Sequence, residues 1–154
     1  MSKLKETLGL VALCFLFAAP APATAQGLIM ARSNQMFPES MTLLQAAISS
    51  RGYTITRLQQ VNENLAKMHY ASDLYRVVFF GKYDEIKAIT DKYPDLIPYL
   101  PLSITIFAED NQAILVANHP LTFAEYFPYP ELKPVFERWE SDLVQIMDEV
   151  RETK

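Results

Sequence analysis

The chain has 154 residues, half of them hydrophobic, with 14 basic and 18 acidic side chains and a formal net charge of −4. This length suits a single domain with a buried core, and the acidic balance disfavours binding to nucleic acid or anionic lipid, because phosphate groups attract basic surfaces. The single cysteine excludes a disulfide within the chain.

Residues 1–25 have the pattern of a signal peptide for export. Lys3 and Lys5 precede an apolar run of about a dozen residues, and the small residues Ala23 and Ala25 stand two apart, as a signal peptidase requires. We expect cleavage after Ala25, which makes the mature protein periplasmic or secreted. Its net charge becomes −5, because the signal removes two lysines and one glutamate.

Two alternatives to cleavage are a retained anchor and a lipoprotein. The apolar run at 8–19 is shorter than the roughly twenty residues that span a bilayer. Cys14 lies in this run, but Leu13 precedes it where lipid attachment needs a small residue. We therefore expect no stable membrane span after cleavage, and the mature chain, which lacks Cys14, has no thiol chemistry.

Residues 26–154 are predicted to form one domain of short strands and helices. The predicted elements are a strand at 28–32, a helix from the N-cap Ser40 to a stop at Gly52, a strand at 53–61, a helical turn at 62–68, a strand at 74–80, a helix at 84–93, strands at 102–109 and 112–119, and a helix at 130–152. The last helix has the strongest pattern, with apolar residues at three-and-four spacing.

The strands at 102–109 and 112–119 are predicted to form a hairpin with Asp110 and Asn111 as its turn. In that register one face is core. It carries Leu102, Ile104, Ile106, Ala113, Leu115, Ala117 and His119. The opposite, mixed face carries Ser103, Thr105, Phe107, Ile114, Val116 and Asn118. The mixed face is too apolar to be fully solvated, which indicates a partner or a ligand.

The strand at 74–80 is apolar on both sides, and only Arg76 breaks the pattern. Both of its faces are therefore predicted to be at least partly covered. Since the predicted helices can cover one face, we expect self-association through the sheet to cover the other. A homodimer is the predicted assembly.

Four short motifs carry a resemblance to a known family. They are Arg51-Gly52-Tyr53, Val78-Phe79-Phe80-Gly81, Leu100-Pro101-Leu102 and Asn118-His119-Pro120. Over roughly residues 40–127 the chain resembles the family labelled domain of unknown function 302, although His119 stands where the family usually has an acidic residue. The resemblance implies an α+β domain with a curved antiparallel sheet, helices on one face and a two-fold dimer, and it implies no established reaction.

The two histidines, His69 and His119, are the first candidates for metal or haem ligation, because imidazole is the commonest such ligand. Their spacing matches no metal motif, and the alternative is that each is a hydrogen-bonded packing residue. Met68 beside His69 is a soft ligand type, but adjacent side chains point in different directions, so Met68 is predicted to fill the core. The metal is unknown, and haem is the cofactor considered.

No catalytic motif occurs in the mature chain. The leading hypothesis, motivated by the strands that are apolar on both sides, is a non-enzymatic, exported, dimeric module that binds a small hydrophobic or haem-like ligand. The candidate ligand-binding residues are Arg76 as an anion partner, His69 and His119 as polar or axial groups, and Tyr75 with Phe107 as walls. The alternative is a cell-envelope module for protein interaction or structure, with no small ligand. An enzyme ranks third.

Overall fold

A five-stranded antiparallel sheet forms the centre of the molecule, a computed structural model that describes residues 27–153. The strands are β1 (Leu28–Ser33), β2 (Thr54–Gln60), β3 (Tyr75–Gly81), β4 (Leu102–Glu109) and β5 (Gln112–Asn118). Their order across the sheet is β1-β5-β4-β3-β2, so β1 and β2 are the edges. The predicted signal peptide lies outside the described residues.

Five helices accompany the sheet in the described part of the chain. They are α1 (Phe37–Ser50), α2 (Val61–Lys67), α3 (Tyr83–Lys92), α4 (Phe123–Tyr126) and α5 (Lys133–Glu152), with 3-10 turns at Pro94–Tyr99, Pro120–Thr122 and Pro130–Leu132. Between residues 27 and 153, none of these helices has the length and apolarity needed to cross a membrane. The predicted α+β class, with an antiparallel sheet and a long C-terminal helix, is confirmed.

The predicted hairpin and its register are confirmed. Ile106 pairs with Leu115 and Ile104 with Ala117, across a two-residue turn that contains Asp110. Asp110 has φ of 53°, a left-handed conformation that aspartate tolerates better than most residues. The predicted core face is therefore the buried one.

Helices α1 and α5 pack on this core face and supply most of its apolar cover. From α5 the buried side chains are Phe136, Trp139, Leu143, Ile146, Met147 and Val150. From α1 they include Leu44, Ala47 and Ile48. The helix α1 ends as predicted, because Gly52 adopts φ of 73°, which an L side chain rarely does.

The prediction of Ser40 as the N-cap of α1 is wrong. The helix begins three residues earlier, at Phe37, with Pro38 in its first turn, where a residue without an N–H is favoured. Ser40 is fully buried, and its Oγ lies 2.8 Å from Ser33 Oγ and 3.1 Å from the Gln35 carbonyl oxygen. Its hydroxyl thus links α1 to β1 instead of starting the helix.

The second face of the sheet, which we call the open face, is defined by two rows of paired residues. One row is Met30, Val116, Thr105 and Val77. The next is Arg32, Ile114, Phe107 and Tyr75. Leu28 and Met30, on the edge strand β1, are 46% and 60% exposed. The open face is thus only partly covered by the residues that the structure describes.

Candidate functional site

A groove of about 700 Å³ lies on the open face, where β3 begins and β4 ends. Its lining includes the apolar or aromatic side chains Leu74, Tyr75, Phe107 and Val116, the hydroxyl-bearing Thr105, and the acidic Asp73, Glu109 and Asp110. Ligand pockets in proteins usually have volumes of roughly 300–1,000 Å³. The groove is therefore large enough for a small molecule.

Two aromatic rings meet in the groove because of the sheet register. Tyr75 and Phe107 are directly paired across β3 and β4, and their ring centroids lie 6.4 Å apart at an interplanar angle of 68°. Edge-to-face pairs of this kind are favourable. The Ala108 amide donates to the Leu74 carbonyl oxygen at 2.9 Å, which fixes the segment before β3 beside the rings. The two predicted walls are thus brought together.

Among residues 27–153, the charged residues that line the groove are all acidic. Asp73, Glu109 and Asp110 contribute carboxylates, and the lining contains no lysine or arginine from residues 27–153. The Arg32 guanidinium forms an ion pair with Glu109. Within that same described stretch, Asp73 and Asp110 have no ion-pair partner. Among the residues that the structure describes, two of the three acidic residues therefore have no cation that neutralises them.

Arg76 lies on the other face of the sheet. Its cross-strand partner is the core residue Ile106, and its Nη1 donates to Asn62 Oδ1. Its Nη2 lies 3.8 Å from Glu63 Oε1, and the guanidinium sits 6.0 Å from the centre of the Phe37 ring. Arg76 therefore joins β3 to α2 and does not face the groove.

His119 follows β5 at the far end of the sheet. It lies five residues beyond Ile114, which pairs with Phe107, so the separation along the strand is roughly 16 Å at about 3.3 Å per residue. Its Nε2 is 3.0 Å from Glu140 Oε1, and its buried Nδ1 has no hydrogen-bond partner among the described residues. His119 thus packs against α5, away from the groove.

His69 is exposed in the segment that follows α2, and it does not line the groove. It has φ of 60°, and its amide donates to the Ala66 carbonyl oxygen at 3.0 Å, so it helps to end α2. Met68 is 76% exposed, so the expectation that it fills the core is wrong. Within residues 27–153 no group of three or more His, Cys, Asp or Glu side chains is arranged so that it could hold a metal ion.

Sequence reasoning missed the acidic part of the site. Asp73 lies in an irregular segment whose path has no periodic signal, whereas Glu109 ends a predicted strand and Asp110 begins its predicted turn, where aspartate is common for structural reasons. Thr105 and Val116 were placed on the correct face by the alternation of the hairpin. A carboxylate-rich turn beside an apolar mixed face is the signal that could have indicated this site.

A separate polar network joins the segment before β2 to α3 and α5 on the helix side of the molecule. The Tyr53 hydroxyl donates to Asp142 Oδ2 at 2.5 Å, and the Trp139 Nε1 donates to Glu85 Oε2 at 3.2 Å. Arg138 forms ion pairs with Glu85 and Asp142. Burial, reinforced by the bond to Asp142, raises the pKa of Tyr53 above its ordinary value of 10.0. This network holds the helices in place.

Comparison with known proteins gives a family and a fold. The model of the family described as domain of unknown function DUF302 matches residues 29–150. An uncharacterized conserved DUF302 protein from Bacillus stearothermophilus has a similar crystal structure, with a TM-score of 0.73, 15% sequence identity, and coverage of 80% of this chain and 98% of that one. The search of curated proteins gave no match. At 15% identity the structural likeness shows the fold alone. The family model matches most of the chain, and the chain therefore belongs to the DUF302 family.

Proposed function

We propose that this protein is an exported, dimeric, non-enzymatic module that binds a small hydrophobic ligand in the groove at Tyr75 and Phe107. The observation that carries the proposal is the groove of about 700 Å³ on a sheet face with aromatic and aliphatic lining. Each Å² of apolar surface that a ligand covers there contributes about 25 cal/mol. Leu74, which is 41% exposed, is the most accessible of these apolar contacts.

A filled-groove variant tests this proposal. Val116→Trp places a large ring in the groove lining, and Val116 lies in a strand, where aromatic residues are generally favoured. We expect wild-type protein to bind the neutral fluorescent probe N-phenyl-1-naphthylamine and the variant to bind it at least about tenfold more weakly, a loss of about 1.4 kcal/mol. The matched control is Val144→Trp, an exposed valine on α5. Failure of wild-type binding, or equal binding by Val116→Trp, would contradict the proposal.

Native mass spectrometry of protein purified from its natural host identifies the ligand. A bound small molecule that is absent from Val116→Trp supports the groove as its site. Apo protein alone would count against a tightly held ligand and would favour the second candidate function, a cell-envelope interaction or structural module. The observation favouring that candidate is the exposure of Leu28 and Met30 on the edge strand, since exposed apolar residues near an unpaired strand edge suit a protein partner.

Dimerisation is the second part of the proposal, and the same two residues support it. A second copy that covers Leu28 and Met30 would remove apolar surface from water and protect the outer edge of β1. We expect the wild-type protein to sediment as a dimer at tens of micromolar and Met30→Glu to sediment as a monomer. Val144→Glu, which adds the same charge on α5, is the control. A monomeric wild type would contradict this part of the proposal.

Export is the third part, and it rests on the pattern of residues 1–25. Expression of the full chain in a Gram-negative host, followed by fractionation and intact-mass measurement, should yield a periplasmic or secreted product that begins at Gln26. A product of full mass in the cytoplasmic fraction would contradict export.

A haem-like ligand would receive no imidazole in the groove, because neither His69 nor His119 lines it. Haem ligation by these histidines therefore stays a separate prediction. A Soret band that forms on addition of haem and is lost in His69→Ala or His119→Ala would support it.

A further inference from the structure

We infer that the groove prefers ligands that carry a positive charge on an apolar body, an inference that rests on the proposed function. The groove combines an apolar and aromatic surface with the carboxylates of Asp73, Glu109 and Asp110. No basic side chain from residues 27–153 lines it. The groove is therefore complementary in charge to a cationic amphiphile, such as an alkylammonium compound.

The ion pairs around the groove leave a net negative charge. Arg32 neutralises Glu109, and it also donates to Gln112 Oε1 at 3.1 Å. Asp73 and Asp110 lack an ion-pair partner within the described chain. A cation bound beside these two carboxylates gains attraction, while an anion of the same size meets repulsion.

Arg76, the residue predicted to pair with an anionic ligand, does not face the groove. Its side chain is on the opposite face, held by Asn62 and close to Glu63.

Decyltrimethylammonium and decyl sulfate provide a direct test, because they share an alkyl chain and differ in charge. Each amphiphile is titrated into the mature protein loaded with N-phenyl-1-naphthylamine, at concentrations below micelle formation. The loss of probe fluorescence gives its affinity. We expect the cation to bind about tenfold more tightly than the anion at low salt, the combined effect of two exposed carboxylates. The preference should shrink at high salt, because surface charges are screened.

The decisive variant is the double substitution Asp73→Asn with Asp110→Asn. Asparagine keeps the size of the side chain and tolerates the positive φ of position 110, so the fold should be retained. We expect this variant to lose most of the preference for the cation, measured as the ratio of the affinities of the two amphiphiles for the same protein. The control, Asp91→Asn with Asp148→Asn, changes the net charge equally by removing two surface carboxylates that pair with Lys87 and Arg151.

The outcomes separate this inference from the proposed function. Binding of the neutral probe with equal or tighter binding of decyl sulfate would overturn the charge preference and leave the groove as a binding site. A preference that persists in Asp73→Asn with Asp110→Asn, or that falls equally in the control, would also overturn it. If neither the neutral probe nor either amphiphile binds to wild-type protein, both the inference and the proposed function fail.

Discussion

Tyr53 shows how a single hydroxyl can connect two distant parts of the chain. It belongs to the segment between α1 and β2, and its bond to Asp142 joins that segment to α5. Its ring also packs edge-to-face on Phe80, with centroids 5.4 Å apart, and the Lys82 Nζ lies 4.5 Å from the centre of the ring. Polar and apolar contacts therefore fix the same side chain.

Tyr53→Phe should destabilise the protein by about 1–2 kcal/mol, because the substitution keeps the ring and leaves the partly buried Asp142 without its donor. Urea unfolding at neutral pH measures this change. Asp142→Asn, which keeps an acceptor for the hydroxyl, should cost less. A Tyr53→Phe variant as stable as wild type would show that the bond contributes nothing net.

The same residue makes a prediction about alkaline pH. Because the folded state raises the pKa of Tyr53 above its ordinary value of 10.0, the folded protein holds this proton more tightly than the unfolded chain. The contribution to stability is complete below about pH 10 and declines as the pH rises further. Wild-type protein should therefore lose stability more steeply than Tyr53→Phe above pH 10, measured by urea unfolding. Parallel profiles of stability against pH for the two proteins would contradict a raised pKa of Tyr53 in the folded state.

At the scale of elements, the buried pair of Ser33 and Ser40 joins the edge strand β1 to α1. Ser33 Oγ also accepts a hydrogen bond from the Gln35 amide at 3.1 Å and donates to the Val150 carbonyl oxygen in α5 at 3.3 Å. One small polar cluster thus connects β1, α1 and α5 in a region that is otherwise apolar.

Ser40→Ala should destabilise the protein by about 1–3 kcal/mol, since it removes a buried hydroxyl and leaves Ser33 and the Gln35 carbonyl with fewer partners. Thermal unfolding measures the change. Ser49→Ala, an exposed serine near the end of the same helix, is the control and should stay within about 0.5 kcal/mol of wild type. Equal stability of the two variants would show that the cluster contributes little.

The elements that could be predicted are those whose signals are local. The hairpin register follows from two alternating strands and a two-residue turn, and the end of α1 follows from a glycine. The start of α1 was missed because Ser40 matches a capping residue in sequence, while its actual role depends on Ser33, which lies in another element. Contacts of this kind are set by tertiary packing, which a periodic pattern does not encode.

The candidate site likewise contains residues that local signals could predict and residues that depend on tertiary structure. Tyr75 and Phe107 could be paired in advance, because each lies in a regular strand whose alternation fixes its side of the sheet. The same alternation puts Arg76 on the opposite side from Tyr75, so these two predicted site residues do not share a face of the sheet. Asp73 required the path of an irregular segment, which only the folded chain provides.

At the scale of the whole molecule, the proposed dimer contact and the proposed groove meet at one pair of residues. Met30, in the exposed edge strand, is the direct cross-strand partner of Val116, which lines the groove. A second copy that covers Met30 would therefore also border the groove. If contact with that copy changes the affinity of the groove, ligand binding and dimerisation each strengthen or weaken the other by the same factor.

We expect this linkage to be positive, because a partner over Met30 closes one side of the groove and shields the apolar part of the ligand from water. Met30→Glu should bind N-phenyl-1-naphthylamine several-fold more weakly than wild type, and its affinity should not change with protein concentration. Wild-type affinity should rise with protein concentration through the range in which sedimentation shows the dimer forming. Val144→Glu should behave as wild type in both measurements. If monomeric Met30→Glu binds the probe as tightly as the wild-type dimer, the two parts of the open face act independently, and the groove is complete within one chain.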